Sequence, residues 1–124
     1  MAAAGLLAFA PDVHAAAADG LAILRQLQPG EWTLRYREGT GPQKICVRSG
    51  SELLDIVPRR GNCQRTIVEE GRNIVTVQQS CPATGFTRTT VRRESDELVQ
   101  VESQGLRGGS PFALAAEARR TGGC

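Results

Sequence analysis

Cys63 and Cys81 bracket two runs rich in strand-forming residues, Gln64–Glu70 and Ile74–Cys81, which flank the turn Gly71-Arg72-Asn73. With a three-residue loop, Glu70 faces Ile74, Ile67 faces Val77 and Cys63 faces Cys81. Strand side chains alternate with period two, so Cys63, Ile67, Val75, Val77 and Cys81 then share one face. Asn73 suits the left-handed last position that such loops favour. A two-residue Gly71-Arg72 loop would slip the register by one and set Cys63 against Ser80, so the cysteines select the longer loop. Opposed residues of a non-hydrogen-bonded antiparallel pair lie about 4.5 Å apart at Cα, within reach of a disulfide. The stretch reads as a stapled hairpin.

The chain has four cysteines, at 46, 63, 81 and 124. Four cysteines permit three pairings; the hairpin singles out Cys63–Cys81, which leaves Cys46–Cys124 by elimination. Structural zinc sites need closely spaced pairs such as C-x-x-C, and the one histidine, His14, lies in the N-terminal segment. Disulfides, no metal and no cofactor are therefore expected. Two disulfides imply an oxidising compartment, periplasmic or secreted.

At 124 residues the chain is one domain with a modest core. Aromatics are 4% of it, so that core is built mainly from Val, Ile, Leu and Ala. The net charge is +2, and the longest basic runs are the pairs Arg59-Arg60, Arg92-Arg93 and Arg119-Arg120. Nucleic-acid binders gather cations on one face with aromatics for stacking; this chain does neither, and no nucleic-acid partner is expected.

Residues 2–10 form a short apolar run, followed by small residues around Val13 and Ala15 that resemble a signal-peptidase site. No basic stretch precedes the run, so residues 1–18 read as the remnant of a secretory signal peptide or a disordered tail. The run is too short to span a bilayer. Residues 19–124 form the single β-rich domain. Asp19 caps a short helix through Gln28, with Leu21, Leu24 and Leu27 on one side and Pro29-Gly30 as its stop. Residues 31–38 then alternate, Trp32, Leu34 and Tyr36 facing one way and Thr33, Arg35 and Arg37 the other. Residues 44–48 are a second strand. Ser49 and Glu52 match a capping box that opens one or two helical turns through Val57, ended by Pro58.

After the central hairpin, residues 86–95 and 97–104 pair around Asp96. Centring this hairpin on Ser95 sets Val91 against Val99, Thr89 against Val101, Arg88 against Glu102 and Arg93 against Glu97. A seven-residue glycine-rich connection, 105–111, leads to a last strand at 112–120. The expected fold is mainly β: a disulfide-stabilised antiparallel meander of six or seven strands with a short N-terminal helix.

Serine or cysteine nucleophiles need a base, and beyond the leader there is no histidine. Glu94, Glu102 and Glu117 could act as a carboxylate couple, but carboxylates on half-exposed strands are usually solvated or paired with arginine. No catalytic residue is assigned. The loop Arg107-Gly108-Gly109-Ser110 is the nearest thing to a phosphate cradle, yet it lacks the Gly-Lys-Ser/Thr ending of a P-loop. It is kept as a possible binding loop, because function concentrates on such connections. Trp32 is assigned to the core rather than to a ligand.

Pro29-Gly30-Glu31-Trp32 opening a strand, Lys44-Ile45-Cys46-Val47, the hairpin between Cys63 and Cys81, and the terminal Gly122-Gly123-Cys124 together resemble the domain of unknown function 3617. That family consists of small exported proteins of Gram-negative bacteria, and the resemblance covers about residues 20–124. It implies a periplasmic protein and transfers no catalytic residue. The expected function is a non-enzymatic module that binds a partner protein or a small apolar ligand. The alternatives are a small exported enzyme using carboxylates, or an inhibitor-like module presenting a loop such as residues 59–62. The sequence does not specify an oligomeric state.

Overall fold

In the computed structural model, which describes residues 21–39, 41–58, 61–82 and 84–124, alternating apolar and polar residues build one antiparallel sheet of seven strands. A four-residue helix α1 (Ala22–Arg25) precedes β1 (Gly30–Tyr36) and β2 (Gln43–Val47). A 3-10 helix (Ser51–Asp55) leads to β3 (Gln64–Glu70), β4 (Ile74–Cys81), β5 (Gly85–Ser95), β6 (Leu98–Arg107) and β7 (Ser110–Gly122). The strand order is β2-β1-β7-β6-β5-β4-β3. Strands β3 to β7 thus form the expected meander, and the β1–β2 hairpin joins it by pairing the first strand with the last.

One face of the sheet is the core. Trp32, Leu34, Val47, Val75, Val77, Val91, Val99, Val101, Ala116 and Ala118 are buried on it. The chain passes from one sheet edge, β2, to the other, β3, and on the way buries Leu53 and Leu54 against this face. Ile23, Leu24 and Leu27 join the same cluster. A helix of four residues has no stability of its own, so α1 exists because these side chains dock. Each fully buried leucine contributes roughly 1.5–3 kcal/mol. The helix is shorter than the sequence indicates, and its expected cap, Asp19, lies outside the described residues, as does the signal-peptide region. Trp32 is fully buried, and its indole N–H donates to the Gln28 carbonyl at 2.9 Å.

Ser49 and Glu52 make the expected box in part. The Glu52 carboxylate accepts from the backbone N–H groups of Arg48, Ser49 and Gly50, and Ser49 Oγ accepts from the Ser51 N–H. The element they open is a five-residue 3-10 helix that ends at Asp55, short of Val57. Gly50, at φ 95°, lets this turn press onto α1: a Cβ there would sit 2.4 Å from the Leu24 carbonyl oxygen.

Both disulfides have the expected partners. Cys63 and Cys81 lie 4.3 Å apart at Cα, and Cys46 and Cys124 lie 5.8 Å apart. Ile67 faces Val77 as expected, but a bulge between Ile67 and Glu69 sets Glu70 opposite Val75 instead of Ile74. The β5–β6 register differs by two residues from the expected one. Val91 faces Val101, Thr89 faces Ser103, Arg88 faces Gln104 and Arg93 faces Val99. A slip of two keeps every side chain on its own face, so the alternation of residues cannot detect it. The Asp96-Glu97 turn and a bulge between Arg93 and Ser95 decide the register. The two expected arginine–glutamate pairs are consequently absent: Arg93 pairs with Asp96, and Arg88 donates to Gln78 Oε1.

Candidate functional site

The glycine-rich connection is far shorter than seven residues. Strand β6 continues to Arg107 and β7 begins at Ser110, opposite it, so only Gly108 and Gly109 turn the chain. Their φ angles, 58° and 84°, belong to the left-handed region that a two-residue hairpin turn requires at both central positions. The Gly108 N–H donates to the Thr84 carbonyl at 2.9 Å. Arg107, Gly108, Gly109 and Ser110 are exposed at this hairpin tip. None of the four lines the cleft formed beside β1 and β7.

That cleft, of about 800 Å³, lies where β1 ends beside β7. Strand β1 pairs with β7 from Glu31 to Tyr36, the last register pair being Tyr36 with Ala116. One more rung follows, the Arg37 N–H donating to the Ala115 carbonyl at 2.9 Å. Beyond it the first residues of β7 have β6 on one side and, among the described residues, no strand on the other. The cleft occupies this place. Tyr36, Ile56 and Leu114 give it an apolar wall, with Gln43 beside them; Arg37, Glu38, Arg88 and Glu102 supply two charges of each sign.

The lining has an informative pattern. Ala113, Leu114 and Ala115 are consecutive, as are Glu102, Ser103 and Gln104. Consecutive strand residues point to opposite faces, so the cleft wraps round the edge of β7 instead of lying on one face. The Tyr36 hydroxyl donates to Gln43 Oε1 at 2.7 Å, which fixes the ring against the β2 side of the cleft. Burial pushes the Tyr36 phenol above its ordinary value. Deeper under the same wall, the Thr89 and Ser103 hydroxyls share a buried hydrogen bond of 2.9 Å. Gln79 donates to Asp55 Oδ1 at 3.0 Å, tying the 3-10 helix to β4.

Of the three carboxylates singled out in the sequence, only Glu102 reaches the cleft. Glu94 sits exposed in the β5 bulge, and Glu117 pairs with Arg119 at 3.5 Å. Two residues of the loop 59–62, Arg59 and Arg60, lie outside the described residues. Among the described residues, no group of three or more His, Cys, Asp or Glu is placed to hold a metal ion, and no helix is long and apolar enough to cross a membrane. The cleft itself is not legible in the sequence. Its one advance sign is Pro111, read there as part of a loop and found inside β7, where proline marks a strand edge.

Comparison with protein-family models, with curated proteins and with solved structures found no match.

Proposed function

We propose that this protein is a non-catalytic binding module of an oxidising, extracytoplasmic compartment, and that the cleft beside β7 receives its ligand. The cleft carries the reading: its volume is within the range of about 300–1,000 Å³ usual for binding sites, and Tyr36, Ile56 and Leu114 form an apolar wall inside a lining that is otherwise largely polar and charged. The occupant is a small apolar ligand or an apolar segment of a partner protein. Location is supported by the two disulfides and by the resemblance to the exported family of domain of unknown function 3617.

The test is the fluorescence of anilinonaphthalene sulfonate titrated with oxidised protein. Saturable binding is expected, with at least a ten-fold loss in Leu114→Asp and in Ile56→Asp. Binding that neither variant changes places the apolar site elsewhere and overturns the reading. Native mass spectrometry of protein purified from an oxidising compartment would show any ligand carried along.

A second reading has one observation in its favour. Glu38 and Glu102 both line the cleft, and a carboxylate-dependent hydrolase needs two such groups at one site. Turnover of a chromogenic glycoside panel, abolished by Glu102→Gln with dye binding intact, would replace the first reading with this one.

A further inference from the structure

We infer that the occupant of this cleft is an extended polypeptide that joins the sheet as an extra strand on the unpaired edge of β7. The inference rests on the reading of the cleft as the binding site and goes on to specify the ligand's backbone. In an antiparallel ladder, the N–H and C=O groups of alternate residues point to the same neighbouring strand. The Ala115 carbonyl accepts from the Arg37 N–H, so the odd-numbered residues of this part of β7 direct their backbone groups toward the β1 side. Pro111 agrees with this parity. It faces Leu106 of β6, and its missing N–H belongs to the outward series, so the β6–β7 ladder loses no rung.

The next outward groups are the N–H and C=O of Ala113, followed by the C=O of Pro111. Strand β1 has ended by this point, and Ala113 lines the cleft. Residues 110–114 offer roughly 17 Å of edge at about 3.4 Å per residue, enough for a five-residue strand. A small apolar molecule would fill the wall at Tyr36, Ile56 and Leu114 but leave these backbone groups to water. A polypeptide strand satisfies both, which is how strand addition gains its affinity.

The lining also describes the side chains such a strand would carry. Leu114, Tyr36 and Ile56 lie on the core side of the β7 edge, and Glu102, Arg88 and Ala113 on the outer side. A bound strand alternates its side chains between these two surroundings. Its residues on one side are therefore apolar, and those on the other are polar or charged.

The experiment is selection of linear nonapeptides from a random displayed library on the oxidised full chain. The best peptide is then resynthesised with the alternate backbone nitrogens that would face β7 methylated, which keeps its side chains and removes those donors. Enriched sequences of apolar–polar alternation are expected, with affinity falling at least ten-fold on methylation. Ala113→Pro removes the Ala113 N–H without touching the β6 ladder and should weaken the unmodified peptide ten-fold or more. The Ala113 and Ala115 amide signals should shift on binding in the wild-type protein, a readout that stands if Ala113→Pro fails to fold. A methylated peptide that binds equally well, or binding that leaves those amides unmoved, overturns the inference. If no peptide is enriched while anilinonaphthalene sulfonate still binds the Leu114 wall, strand addition falls and the cleft reading stands; if neither binds, both fall.

Discussion

Cys46 and Cys124 are joined across the start of β1, their Cα atoms 5.8 Å apart. Cys46 faces Glu31 from β2, and Glu31 faces Gly122 from β7 on its other side, so the bridge clamps both neighbours of the first strand. The other disulfide fastens the edge strand β3 to β4 at the opposite end of the sheet order. Each bridge secures one edge of an open sheet.

The two bridges close loops of very different length, with sequence separations of 78 and 18. In the chain-entropy model these correspond to about 4.5 and about 3 kcal/mol. The double variant Cys46→Ser/Cys124→Ser should therefore lose more stability in urea denaturation than Cys63→Ser/Cys81→Ser. An equal or reversed order would show that loop entropy does not govern the contribution of these bridges.

Gly50 is the point where the 3-10 helix touches α1. Its φ of 95° disfavours any side chain, and an added Cβ would meet the Leu24 carbonyl at 2.4 Å. Gly50→Ala should cost about 3 kcal/mol or more, because backbone strain and displacement of the buried Leu24 act together. Thermal denaturation measures it, and a loss below about 1 kcal/mol would mean that the contact relaxes freely.

The buried hydroxyl pair Thr89–Ser103 predicts non-additivity. Ser103→Ala leaves the Thr89 hydroxyl buried without its partner and should cost about 1–3 kcal/mol. Thr89→Val in the same background should cost less than it does alone, since nothing unsatisfied then remains. A double-mutant cycle that closes to zero would contradict this coupling.

Glu52 predicts a pH dependence. Burial raises its carboxyl pKa, but four backbone N–H groups, those of Arg48, Ser49, Gly50 and Glu52 itself, outweigh that and hold the carboxyl below its ordinary 4.5. A group whose folded pKa is depressed stabilises the fold above its unfolded pKa and loses that contribution as pH falls through the folded value. Denaturation followed from about pH 6 down to about pH 3 should show a stability loss that is shallower in Glu52→Gln. Identical slopes in the two proteins would remove Glu52 from the acid response.

The features legible in the residues alone were local or set by strand parity. The period-two patterns placed the strands, set Trp32 and Leu34 on one side of the first and Val75 and Val77 on one face of the central hairpin, and the spacing of Cys63 and Cys81 carried their pairing. Those signals depend only on neighbours along the chain. Three things belonged to tertiary structure. The β5–β6 register is two residues from the one that arginine–glutamate pairing indicated, because a slip of two is invisible to alternation. The partnership of β1 with β7 joins residues some ninety positions apart, as in the 2.9 Å hydrogen bond between Thr33 and Thr121, and no local pattern encodes it. The cleft follows from that partnership: it lies where β1 stops at Tyr36 while β7 extends back to Ser110, a difference between two strand ends that exists only once they lie side by side.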